Sequence, residues 1–200
     1  CVFTGNTAAY GGGMYNAFSG PNLTGCTFES NSAPDGGGMY NNSSDPTLTD
    51  CTFAGNTGTY GGGMYNQSSS PTLNGCTFTN NAATNGGGMY NGSYVNPTLT
   101  DCVFTGNSAT NGGGMYNDFE ANPTLAGCYF CGNLDESGFN SIGGDAIDGA
   151  SSGNTFIDSS CPDNDEDGVF DIFDVCPGAD DLLDSDSDHI PDCLDDCPYD

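Results

Sequence analysis

The six-residue string GGGMYN occurs at 11–16, 36–41, 61–66, 86–91 and 112–117. Five copies at a period of 25 or 26 residues constrain the chain more than any other feature. A fixed period in this range denotes a solenoid, a propeller or another stacked array. Each unit opens on a cysteine, at Cys1, Cys26, Cys51, Cys76, Cys102 and Cys128. It then runs C-x-F-x-x-N, a variable stretch, GGGMYN, a polar stretch and P-x-L. Glycine-rich, proline-punctuated units carry no 3.6-residue apolar pattern, which excludes helical repeats. The unit is also too short for a four-stranded propeller blade.

Short strands remain. In C-x-F, Cys and Phe share one face, and in P-x-L the Leu points away from its neighbours. One unit therefore supplies Leu, Cys, Phe and Met to a core that it cannot bury alone. Stacked in register at ~4.8 Å, the units bury like on like, and each coil contacts only its neighbours. The expected fold is all-β: a parallel β-helix of about six coils over residues 1–133, closed by an irregular coil over 134–160. Asn6, Asn31, Asn56, Asn81, Asn107 and Asn133 follow the strand of each C-x-F and are expected to form a structural ladder, since Asn tolerates left-handed geometry and bonds its own turn. GGGMYN is not a phosphate loop, because it lacks the Lys and the following helix.

The chain has 200 residues, no Lys or Arg, and 27 acidic residues. Nothing can neutralise phosphates, which excludes ordinary nucleic-acid binding. Anionic membrane surfaces are disfavoured for the same reason, and no apolar run suggests membrane insertion. Fifteen of the acids fall in 161–200, which marks a second region with different physics. The chain starts inside a repeat and its eleven cysteines are odd in number, so it reads as a piece of a longer protein.

In that acidic region Asp163, Asp165, Asp167, Asp171 and Asp174 take positions 1, 3, 5, 9 and 12 of a calcium loop. Gly168 sits at position 6, and the Val169 carbonyl serves position 7. Hard oxygen ligands converge on one ion while the glycine permits the sharp turn. A second set follows in Asp184, Asp186, Asp188, Asp192 and Asp195 with the Ile190 carbonyl, and there His189 replaces the glycine. Two calcium ions are expected, and with them the folding of a segment that otherwise repels itself.

Both regions resemble known families. FxxN followed by a GG-containing motif resembles the repeats of chlamydial polymorphic outer-membrane proteins and related bacterial surface β-helices, with GGGM where that family has GGA and an aliphatic residue. The resemblance covers residues 1–133 and implies a right-handed β-helix on a secreted or surface protein, often adhesive, with no catalytic residues. The pattern D-x-D-x-D-G-x-x-D-x-x-D-x-C-P of 161–200 is similar to thrombospondin type 3 repeats. That similarity implies a small disulfide-linked calcium module in which Cys176 pairs with Cys193.

The remaining motifs carry weaker chemistry. The unit-opening cysteines read as buried free thiols acting as small apolar groups. Cys131, at the outward x of FxxN, is assigned to Cys161 as a staple. With Met inward, Tyr15, Tyr40, Tyr65, Tyr90 and Tyr116 form an outward column, either self-stacked or open to a neighbouring molecule or a sugar. Asn22, Asn41, Asn42, Asn66 and Asn91 begin N-x-S/T sequons and are candidate glycosylation sites. Thr47/Thr49 and Thr98/Thr100 resemble the paired threonines of ice-binding solenoids, but Asn22, Asn74 and Ala126 interrupt the array. Polysaccharide-cleaving β-helices need clustered acids or a basic clamp; none recurs here, and no enzyme is expected.

The expected function is therefore an extracellular structural protein of a bacterial surface. It assembles with copies of itself into a fibre or stalk, because an uncapped β-helix end is a strand edge that templates association. The alternative is a monomeric adhesin domain that binds glycans or a host surface.

Overall fold

The computed structural model describes residues 1–136, 138–139, 142–144 and 154–157. The chain divides into two units, Cys1–Ser159 and Ser160–Asp200, and the second falls outside the described residues. Within the first, the chain winds as a parallel solenoid and no described residue is helical.

Each of the first five coils contributes one strand to each of three sheets. A seven-stranded sheet begins with Val2–Thr4 and Thr27–Glu29 and carries the C-x-F segments. A six-stranded sheet, from Met14–Ala17 through Met115–Asn117 to Ile142–Gly144, carries the M-Y-N segments. A five-stranded sheet, from Asn22–Thr24 to Thr124–Ala126, carries the x-L-x segments. Register is identity on identity: Phe78 pairs with Phe53 and Phe104, Met89 with Met64 and Met115, and Leu99 with Leu73 and Leu125. A fourth sheet fills the variable stretch in the later coils, where Ala82–Asn85 pairs with Ser108–Asn111.

The core is made of these ladders. Phe28, Phe53, Phe78, Phe104 and Phe130 are fully buried, and their rings stack at 4.5–4.7 Å between centroids, within 5° of parallel. Met39, Met64, Met89 and Met115 and Leu48, Leu73, Leu99 and Leu125 form two further buried columns. Period-two alternation in three-residue strands is enough to fix which side chain enters.

Corners are single residues in the left-handed region. The one between the Leu and Phe sheets is Gly25, Asp50, Gly75, Asp101 or Gly127; the one after the Phe strand is Gly5, Ser30, Gly55, Asn80, Gly106 or Gly132. These corners accept Gly, Asn, Asp and Ser alike, as left-handed geometry allows.

The GGG triplet has stricter causes at each glycine. The first turns at positive φ, and a Cβ on Gly61 would lie 2.1 Å from the Met64 carbonyl oxygen. The second lets coils touch: a Cβ on Gly62 would lie 2.5 Å from the Gly87 oxygen of the next coil. The third lets coils touch and also makes room for a ring, since a Cβ on Gly63 would lie 2.5 Å from the Gly88 oxygen and 2.9 Å from the Phe78 ring of the next coil.

The repeat pattern fades after Cys128, but three of the sheets continue, the fourth through Leu134–Asp135 beside Ser108–Asn111. Ile142–Gly144 pairs with Met115–Asn117, so Ile142 follows the methionines and packs against the core. Thr155–Ile157 adds the last strand of the Phe sheet beside Tyr129–Cys131. The 26-residue coils absorb their extra residue in a loop after the Met strand, where Tyr94 and Phe119 meet edge to face at 5.7 Å.

Candidate functional site

Two asparagine ladders run the length of the solenoid. In the expected one, Asn56 Nδ2 donates to Asn81 Oδ1 at 2.9 Å and to the Phe28 carbonyl at 2.9 Å, while its backbone N–H also donates to Asn81 Oδ1. The same set recurs at Asn31, Asn81 and Asn107. These side chains are almost wholly buried, and the bonds offset the cost of placing an amide there.

The second ladder was not anticipated from the sequence. It is made by the last letter of GGGMYN. Asn16, Asn41, Asn66 and Asn91 each donate from Nδ2 to Oδ1 of the next coil, ending on Asn117, at 2.9–3.0 Å. Asn41, Asn66 and Asn91 are 0 % exposed. They are therefore corrected from candidate glycan carriers to core residues: the amide nitrogen that a glycan would need is bonded and inaccessible. Two residues after an inward Met, alternation points Asn inward as well. Of the remaining sequons, Asn22 is exposed and Asn42 half-buried.

Cys26, Cys51, Cys76, Cys102 and Cys128 are buried free thiols, as expected. Each S–H donates to the carbonyl two residues earlier at 3.3–3.6 Å. The neighbouring thiol one coil away, together with burial, pushes Cys51 and Cys102 well above the usual thiol range. Cys1 is the exposed member of the column.

Cys131 takes the outward side of its strand. It lies opposite the inward Phe130 in the alternation, yet it is fully buried, and it is disulfide-bonded. Its expected partner, Cys161, lies outside the described residues. So do Cys176 and Cys193 and the whole calcium set, Asp163, Asp165, Asp167, Val169, Asp171, Asp174, Asp184, Asp186, Asp188, Ile190, Asp192 and Asp195. Among the described residues no group of three or more His, Cys, Asp and Glu side chains could hold a metal ion.

The tyrosine column stands outside the Met sheet and is largely self-stacked. Tyr15–Tyr40, Tyr40–Tyr65, Tyr65–Tyr90 and Tyr90–Tyr116 have centroids 4.9–5.5 Å apart. Tyr40 and Tyr90 are only 4 % and 8 % exposed. Burial, then the charge of Asp118 and its hydrogen bond from Tyr90 Oη at 3.1 Å, hold the Tyr90 phenol well above its ordinary pKa. Burial, and then the neighbouring Tyr40 and Asp35, push Tyr65 up to about 12.

One stretch of the column is open. Tyr10, Tyr15, Asp35, Tyr40, Asn42 and Gln67, drawn from three successive coils, line a cleft of about 350 Å³. Tyr10 and Tyr15 are 54 % and 48 % exposed. The Tyr10 ring lies 6.2 Å from Tyr15 and 5.8 Å from Tyr40. Tyr40 Oη donates to Gln67 Oε1, and Asn42 Nδ2 donates to Tyr15 Oη at 3.4 Å. Burial raises the pKa of Asp35. Tyr10, Asp35 and Gln67 occupy positions that change from coil to coil, so a reading based on repetition passes over them.

A family described as a right handed beta helix region matches residues 1–130. No curated protein and no solved structure matches the chain.

Proposed function

The chain belongs to the right-handed β-helix family, and from that premise we propose that it is an extracellular structural protein: a segment of a surface stalk or fibre that associates with copies of itself. One observation carries this reading. The residues that recur in every coil, Leu, Cys, Phe, Met, Gly and both asparagines, are all engaged in coil-to-coil contacts. What is repeated is therefore a device for stacking, and a stack of like coils is complementary to another such stack along its axis.

An extracellular setting is supported by the disulfide at Cys131, because disulfides persist in oxidising compartments. No helix among the described residues is long and apolar enough to cross a membrane.

Calcium belongs to the same proposal. The aspartates spaced through 163–174 and 184–195 are hard oxygen donors in the order a calcium loop requires, and binding would offset the repulsion among them. They are the candidate ligands, and Gly168 the residue that admits the first turn.

Electron microscopy of the chain with calcium and with a chelator tests both parts. Filaments or end-to-end rods that shorten or disperse on chelation are expected. Dispersed monomers in both conditions would overturn the fibre reading. Unchanged protease resistance of 161–200 after chelation would overturn the calcium reading.

A further inference from the structure

We propose that the cleft lined by Tyr10, Tyr15, Asp35, Tyr40, Asn42 and Gln67 binds a neutral polysaccharide. Its volume, about 350 Å³, lies in the range of small-ligand clefts, roughly 300–1,000 Å³. The proposal does not rest on the fibre reading, since a single chain carries the whole cleft.

The chemistry of the lining selects the ligand class. A sugar ring presents an apolar C–H face and a rim of hydroxyls, each of which donates and accepts. The half-exposed rings of Tyr10 and Tyr15 supply apolar faces with polar tips. Around them stand a carboxylate that accepts, two side-chain amides that do both, and phenols that do both. The amides are oriented in advance. The Gln67 carbonyl oxygen is engaged by Tyr40 Oη, which leaves its amide nitrogen to donate, and Asn42 is tied to Tyr15. Such preorganisation lowers the cost of binding.

Charge narrows the class further. The chain has no Lys or Arg and a formal charge of −27, and Asp35 stands in the cleft itself. Uronates, sulfated glycans and sialylated chains would enter against that field with nothing to pair them. Neutral hexose polymers meet no such barrier.

Repetition argues for a polymer over a single sugar. Tyr60 and Tyr65 reproduce the Tyr10–Tyr15 pair two coils further on, with centroids 6.0 Å apart and planes at 39°, against 6.2 Å and 34°. In-register coils place the two pairs about 9–10 Å apart along the axis. Asp35 lies between Tyr10 and Tyr60 in the same rank. A chain laid along the solenoid would meet a ring pair, then polar groups, then a second ring pair.

Affinity electrophoresis of the intact chain tests this, using gels that contain a soluble β-glucan, a galactomannan, an arabinogalactan or polygalacturonate. Retardation by at least one of the three neutral polymers and none by polygalacturonate is expected. Tyr10→Ala and Tyr15→Ala should each weaken the retarding interaction by about tenfold, the loss of one aromatic contact, with the thermal midpoint within about 3 °C of the parent because both rings are half-exposed. Asp35→Ala should weaken it as well. No retardation by any neutral polymer, retardation by polygalacturonate, or retardation that survives both tyrosine substitutions would each overturn the proposal. None of these results bears on filament formation, which is read separately by microscopy.

Discussion

Gly63 and Phe78 share one volume: a Cβ on Gly63 would lie 2.9 Å from Cδ1 of the Phe78 ring and 2.5 Å from the Gly88 oxygen. The phenylalanine column thus stacks closely because the coil below yields a side chain to it. Gly63→Ala is expected to destabilise the fold by about 3 kcal/mol, as overpacking of a rigid core does, read from the urea midpoint. Gly55→Asn is the matched comparison, because Ser30 and Asn80 hold the same left-handed corner in adjacent coils. It should change stability by less than about 0.5 kcal/mol. Equal losses in the two variants would refute the assignment of separate roles.

The inner asparagine ladder makes a prediction that runs against its sequons. Asn66→Ala removes the acceptor of Asn41 and the donor to Asn91, leaving two buried polar atoms unpaired at a cost of about 3 kcal/mol. Peptide mapping after expression in a glycosylating host should find Asn41, Asn66 and Asn91 unmodified. A glycan on any of them in folded protein would contradict the buried ladder.

The buried members of the thiol column should be chemically silent. Iodoacetamide added to native protein is expected to label Cys1 and to spare Cys51, Cys76 and Cys102, which are 0 % exposed. All four should react once the chain is unfolded in urea, since reactivity follows thiolate character and access. Rapid native labelling of Cys76 would show that the coils open locally.

Alkaline titration should unfold the chain through its tyrosines. Tyr65 is pushed up to about 12, and Tyr40 and Tyr90 are raised too, by burial first and neighbouring negative charge second. A raised pKa means that the folded state holds its proton longer than the unfolded chain does. The contribution is thus fully present below pH ~10 and lost as pH rises through the folded value. The thermal midpoint should fall above pH ~10, in step with tyrosinate absorbance near 295 nm. Tyr65→Phe should blunt that fall. A midpoint flat to pH ~12 would show that these phenols ionise without cost to the fold.

Much of the architecture was legible because its causes are local and recur. Period, Phe and Met alternation and the FxxN asparagines all follow from one unit read against its copies. The inner ladder of Asn41, Asn66 and Asn91 was missed for a physical reason: an amide is expected at the surface unless its partner is known, and here the partner is the same residue one coil away. Cys131 stands outward by alternation and is disulfide-bonded, but its complete burial is a tertiary fact that alternation does not contain. The cleft was illegible for the opposite cause. Tyr10, Asp35 and Gln67 break the repeat, and only the winding of three coils brings them to one place.

Both asparagine ladders also give the solenoid a direction. At every rung Nδ2 of one coil donates to Oδ1 of the following coil, from Asn16 to Asn117 and from Asn6 to Asn133. The amide dipoles of both columns therefore add in a single sense, as the cars of a train couple front to back. Two solenoids brought end to end in opposite senses would set oxygen against oxygen or N–H against N–H at both columns. Coils stacked in the same sense extend both columns, as each rung from Asn41 to Asn91 does. Any filament that joins coil faces is on this account polar, with two distinguishable ends and one permitted order of addition.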